Sequence, residues 1–211
     1  MADWATISSL ATAGGTLVLA VATFASVRSA NRAARASERS VLAGLRPVLM
    51  PSRPHDPPEK ISFADGHWVR VEGGHAVLDV AEDAIYLAVA LRNAGSGIAV
   101  LHGWSFHPDR LPGDAGHADP GEFRRLSRDI YVPAGDIGFW QGALRDPTEA
   151  MFAAARDAAE QARVVTVDLL YGDHEGGQRT ISRFALLPRV DGDRLASVAR
   201  HWNLDRVDPR Q

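Results

Sequence analysis

Trp4 to Val27 reads WATISSLATAGGTLVLAVATFASV. These 24 residues contain no Asp, Glu, Lys, Arg or His. At about 1.5 Å per residue they would form a helix of about 36 Å, enough to cross a hydrocarbon layer of about 30 Å with some tilt. Two other readings compete. A buried core helix of this length with no charged residue is unusual. A cleaved signal peptide fits the small residues Ala20-Val21-Ala22, but it requires a basic stretch ahead of the apolar run, where this chain has Asp3 and no Lys or Arg. The expectation is an uncleaved transmembrane helix from Trp4 to Val27, with Trp4 as an aromatic anchor at the outer interface.

The flanks predict an orientation. On the carboxyl side come Arg28, Arg32, Arg35, Arg39 and Arg46 against one acid, Glu38. Lys and Arg close to a span stay in the cytoplasm, which places the amino terminus outside and the carboxyl-terminal domain in the cytoplasm. Residues 28–46, RSANRAARASERSVLAGLR, hold strong helix formers and no proline before Pro47. The helix is therefore expected to run on through 1–46. At about 100° per residue all five arginines fall within one narrow stripe, opposite Ala30, Ala34, Val41 and Leu45. This membrane-proximal basic stripe suits lipid phosphates, at about 1 kcal/mol per arginine near the surface. Its apolar side suits docking on the following domain, and a stalk helix with a solvated charged face is the plain alternative. Small residues from Thr6 to Gly44 also recur at spacings of three and four, a seam along which two copies of the helix would pair as a homodimer.

Composition bounds the rest. The chain has 211 residues, 45% of them hydrophobic and 23% charged, which leaves room for one ordinary domain after the anchor. Its formal charge is −3; residues 1–46 carry five Arg against Asp3 and Glu38, or +3, so residues 47–211 carry −6. An acidic domain argues against nucleic-acid binding. There are no cysteines, which excludes disulfides, zinc–thiolate sites and a thiol nucleophile. Lys60 is the single lysine among 23 basic residues, a bias that indicates a GC-rich, bacterial coding sequence.

Residues 47–62 contain Pro47, Pro51, Pro54, Pro57 and Pro58 and read as an extended linker or edge segment, with a short strand at 48–50. Residues 63–211 read as short apolar runs separated by turns. Strands are expected at 67–72, 75–81, 84–93, 98–107, 129–135, 137–144, 164–172 and 180–188, with 194–202 read as strand rather than helix. AIYLAVALRN at 84–93 is nearly continuous in apolar residues, as in a buried central strand. One helix is expected after Asp146-Pro147-Thr148-Glu149, running to about Ala162 with Met151, Phe152, Ala155 and Ala159 on its apolar face. The fold class is an N-terminal transmembrane α-helix followed by a mainly-β domain: a β-sandwich of about eight strands with one inserted helix.

Asn93-Ala94-Gly95-Ser96-Gly97-Ile98-Ala99 resembles the turn found in many bacterial immunoglobulin-like sandwich domains. The whole layout resembles uncharacterised single-pass proteins of GC-rich bacteria. The resemblance implies an immunoglobulin-like sandwich and supplies no activity. Asn93, Gly95 and Gly97 read as a structural turn, with the glycines expected to adopt positive φ and Asn93 to bond backbone groups.

Chemistry is sparse. Asp173-His174-Glu175, in a predicted hairpin loop, is the one constellation suited to acid–base work or a metal, although neighbours on a strand diverge and a polar hairpin is the plain reading. His102 and His107 flank Trp104 without metal-ligand spacing, and neither a nucleophile elbow nor a P-loop is present. No cofactor is expected and no catalytic residue is assigned. The aromatics Trp68, Trp104, Phe139, Trp140, Phe184 and Trp202 read as core, except that one of Phe139 and Trp140 must face outward. The functional expectation is a membrane-anchored, non-enzymatic interaction or scaffold module on the cytoplasmic face, touching membrane lipid and an unknown protein partner. The alternatives are an extracytoplasmic ligand- or partner-binding module, and an enzyme using the 173–175 loop.

Overall fold

The structure is a computed structural model describing residues 3–112, 114–190 and 192–207. The chain divides after Gly44 into two units.

The first unit is a single helix, α1 (Trp4–Gly44). Within it Thr12–Glu38 is long and apolar enough to cross a membrane by length and composition. Leu17, Val18, Leu19, Val21 and Phe24 lie exposed along it. The hydroxyls of Thr12, Thr16 and Thr23 each donate to the carbonyl four residues back, at 2.8–2.9 Å. Their polar groups are thus satisfied inside the helix, as a hydrocarbon surrounding requires. The side chain of Trp4, the expected anchor, lies outside the described residues.

Among the described residues the second unit holds eleven strands, one α-helix and a short 3-10 turn at Pro120–Glu122. In chain order these are β1 (Leu49–Pro51), β2 (Glu59–Ser62), β3 (Trp68–Val71), β4 (His75–Val80), β5 (Ile85–Asn93), β6 (Ala99–His107), β7 (Arg124–Val132) and β8 (Ile137–Leu144). Then come α2 (Ala150–Glu160), β9 (Val165–Gly172), β10 (Arg179–Pro188) and β11 (Arg194–Asn203). All pairings are antiparallel. The main sheet runs β1-β5-β4-β11-β10-β9-β6-β7, with β8 on the other side of β5, and β2–β3 forms a separate hairpin. The mainly-β class with one inserted helix is the one observed. The sandwich is one curled sheet, whose opposed halves enclose the core.

Strand β5 shows why the 84–93 run is apolar throughout. Ile85, Leu87, Val89 and Leu91 face the inner core, with Trp104, Trp140, Val167 and Phe184. Tyr86, Ala88 and Ala90 face the opposite way, onto Ile61, Phe63, Val69 and Val71. The β2–β3 hairpin thus forms a second layer over β5, and each fully buried large side chain contributes about 1.5–3 kcal/mol. Residues 47–62 therefore belong to the domain: β1 pairs with the end of β5, and Ser52 N–H donates to Ala90 O at 3.0 Å.

Helix α2 places Phe152, Ala155 and Ala158 in the inner core. It starts three residues later than expected. Asp146 accepts hydrogen bonds from the Thr148 N–H and hydroxyl and so caps the turn ahead of the helix. Trp68 departs from the expected buried set, at 64% exposed on the outer side of the hairpin. Of the neighbouring pair, Trp140 is buried, whereas Phe139 is half-buried beneath Arg128.

Candidate functional site

Five features bear on function. The first is the basic stripe. Arg28, Arg32 and Arg35 are exposed on α1, and the side chain of Arg39 lies outside the described residues. Arg46 does not belong with them. The helix ends at Gly44, so its angular relation to the other arginines does not hold. Arg46 donates to Asn203 Oδ1 at 3.0 Å and to both carboxylate oxygens of Asp205. Against a partial burial that works the other way, this pairing holds the Asp205 carboxyl below its ordinary range. Arg46 is a clasp of the β unit on the segment after β11.

The second group is the Asn93 turn. Asn93 is buried, and all four of its hydrogen-bonding positions are filled. Its Oδ1 accepts from Val48 N at 3.1 Å and Gly95 N at 3.0 Å. Its Nδ2 donates to Gly97 O at 2.6 Å and Val132 O at 3.0 Å. The glycines serve a different purpose from the one expected: neither has a positive φ. They leave room for backbone instead. A Cβ on Gly95 would overlap the Arg46 carbonyl and one on Gly97 would overlap that of Leu45.

The third group, Asp173, His174 and Glu175, does not converge. Asp173 turns inward, at 2% exposed, and its Oδ1 accepts from Gln178 N at 3.1 Å across the β9–β10 turn. His174 and Glu175 face solvent and pair with each other at 3.2 Å. The buried Asp173 Oδ2 accepts no hydrogen bond. Among the described residues no three His, Asp or Glu side chains come together in metal-binding geometry.

The fourth group was not anticipated. Arg183 and Asp168 form a two-armed ion pair, Nε to Oδ1 2.8 Å and Nη2 to Oδ2 2.7 Å, with both side chains almost wholly buried. Arg183 also donates to the carbonyls of Ala115 and Gly116 and lies over Trp202. It thereby holds the β6–β7 connection against the outer face of β9 and β10. A signal existed in the sequence: each of two hairpin strands carries one charge in an apolar run, and pairing Gly172 with Arg179 sets Asp168 opposite Arg183. Next to it, Leu49 N–H donates to Tyr171 Oη, which lies 2.8 Å from Ser182 Oγ, itself 2.6 Å from His201 Nδ1. Burial pushes the Tyr171 hydroxyl pKa up. Ser182 is fully buried, so this serine–histidine contact ties β1 to β9, β10 and β11 and offers no nucleophile to a solvent-borne substrate.

A fifth feature is a polar concavity between β7 and β8. A cavity of about 230 Å³ is lined by Trp104, Arg124, Arg125, Gln141, Gly142 and Arg145, among others. Arg124 pairs with Glu149, and Arg145 donates to Asp65 at 2.9 Å. Desolvation acts to raise the Asp65 pKa, but hydrogen bonds from Tyr86, His67 N–H and Arg145 outweigh it and hold the carboxyl at about 2, against an ordinary 3.8. The folded pKa lies below the unfolded one, so this clasp contributes stability that is complete above about pH 4 and is lost as pH falls through about 2. The stability difference between the wild-type chain and Asp65→Asn should therefore be flat from pH 7 to about pH 4 and shrink below it. Urea unfolding at stepped pH measures this, and a difference that shrinks already between pH 7 and 5 would contradict it. Protein-family models and curated protein sequences give no match to this chain.

Proposed function

We propose that this chain is a single-pass membrane protein, with its amino terminus outside and its β domain in the cytoplasm, acting as a non-enzymatic interaction or scaffold module. The observation that carries the reading is α1: an apolar stretch with exposed Leu17, Val18, Leu19, Val21 and Phe24, followed on the same helix by exposed Arg28, Arg32 and Arg35. Apolar surface of this kind suits lipid, and arginines immediately after it favour the cytoplasmic side. The same arginines would contact lipid phosphates. The seam of small residues on α1 would pair two copies. The β domain supplies rigid, layered strands with exposed edges, which suits it to holding a partner.

The test is topology. A carboxyl-terminal reporter active only in the cytoplasm is fused to the chain, and intact cells are treated with protease. Reporter activity with protection is the expected result. Cleavage of the domain in intact cells would overturn the orientation and make the protein an extracytoplasmic partner-binding module. Replacing Arg28, Arg32 and Arg35 with glutamate should shift a measurable fraction of the chains to the opposite orientation.

A further inference from the structure

Strands β7 and β8 are consecutive and joined by four residues, Pro133 to Asp136, a connection that ordinarily makes a paired hairpin. Here β7 pairs with β6 and β8 pairs with β5, and no ladder joins β7 to β8. Strand β7 is itself irregular. Its register against β6 passes from Leu101–Ile130 to Gly103–Arg125, so four residues of β7, Leu126 to Asp129, stand opposite His102 alone. This is a large bulge in the middle of β7.

The direction of the free backbone follows from the register. Ala90 O accepts from Ser52 N on the β1 side, while Asn93 N donates to Asp136 O on the β8 side. Alternate residues of a strand direct their backbone groups to opposite sides, so Val89 and Leu91 serve β8. Their partners there are Trp140 and Gly138. The main-chain N–H and C=O of Phe139 and Gln141 therefore point away from β5, toward the seam, with Phe139 half-buried and Gln141 7% exposed.

The seam is also the place where basic side chains gather on an acidic domain. Residues 47–211 carry a formal −6. Yet Arg124, Arg125 and Arg145 line the seam's cavity, and Arg128 bonds Gln141 Oε1 at 2.8 Å on its rim. Glu149 and Asp65 offset two of the four charges. Arg128 on the bulge and Arg125 beside it remain exposed, with no acid against them among the described ion pairs. Guanidinium groups favour carboxylates through two-armed hydrogen bonds.

We propose that this seam receives an acidic peptide in extended conformation, which adds as a strand to the edge of β8 that faces away from β5 and sets its carboxylates on Arg125 and Arg128 of β7. The proposal rests on the interaction role given above and names the partner's chemistry. An open strand edge supplies sequence-independent backbone bonds, and the arginines select for charge.

The experiment uses the full-length chain in detergent micelles and a fluorescein-labelled peptide of alternating glutamate and valine. Controls are the lysine–valine peptide and a glutamate–valine peptide whose amides are methylated along one edge. The expected result is saturable binding of the first peptide only. An Arg125→Glu, Arg128→Glu double variant, altered at two exposed positions, should weaken it at least about tenfold. No binding to the wild-type chain would overturn the proposal, as would equal binding by the double variant. Charge-dependent binding that ignores methylation would also overturn it, by showing an anion site without strand addition. The titration uses purified protein and is blind to orientation, so its failure removes this site alone and a failed topology experiment removes the cytoplasmic reading alone.

Discussion

Replacement of Arg183 by alanine is expected to destabilise the β unit by about 3–5 kcal/mol, the cost of leaving half of a buried ion pair uncompensated. The pair is among the most enclosed in the protein, at 1% and 0% side-chain exposure. Removing the guanidinium strands the Asp168 carboxylate against apolar strands and takes the donor from the Ala115 and Gly116 carbonyls. Asp168→Asn retains the shape and one acceptor but leaves the buried Arg183 cation without its counter-charge and sets an amide NH2 against a guanidinium N–H, so it should cost a comparable amount, about 3–5 kcal/mol. A double variant, Asp168→Leu with Arg183→Met, removes both charges together. It should recover part of the loss, because the carbonyls at 115 and 116 still have no donor. Urea unfolding of the full-length chain in detergent, followed by tryptophan fluorescence, measures all three. Trp202 lies 4.8 Å from the Arg183 guanidinium and reports locally. A cost for Arg183→Ala under about 1 kcal/mol would show that the pair is offset by water or by rearrangement of the 108–116 connection.

How much of this was readable depended on whether the controlling contact is local. The apolar run at 84–93 announces a buried central strand, and β5 is one, covered on both faces, because residue-by-residue hydropathy reports burial directly. The same holds for β9, whose eight residues are all buried. Arg46 was misplaced because helix periodicity was carried two residues beyond Gly44; what claims its guanidinium is Asp205, 159 positions away. The 47–62 segment was half read. Its prolines mark an edge, but only the second apolar face of β5 explains why Ile61 folds back as core. The β7–β8 seam was least visible of all. A short turn between two strands predicts a hairpin, whereas here each strand takes a long-range partner instead, β7 on β6 and β8 on β5. Asp173 was legible as a turn residue but not as an inward-facing one, since both orientations satisfy the same pattern of polar residues.

Asn93 carries the second large effect. Alanine at this position should cost about 3 kcal/mol or more, since it leaves two N–H groups and two carbonyls without partners in a buried turn. The more informative change is Asn93→Asp. It preserves the size of the side chain and the oxygen that accepts from Val48 and Gly95. It also replaces the amide donor by an acceptor facing the carbonyls of Gly97 and Val132, and it adds a charge at a site only 1% exposed. If the bonds made by Nδ2 matter, Asn93→Asp must be at least as damaging as alanine at neutral pH, and should recover when the carboxyl is protonated at acid pH, because a protonated carboxyl donates again. If shape alone mattered, aspartate would be nearly silent at every pH. Gly97→Ala tests the other half of the motif. A methyl group there meets the Leu45 backbone, which has no flexible side chain to yield, so the substitution should destabilise the unit although the backbone conformation at 97 tolerates alanine. Equal stability of Gly97→Ala and the wild-type chain in urea would mean that residues 45–48 move aside without cost, and would remove Asn93 and its glycines as the point that binds the start of the domain to β5 and β7.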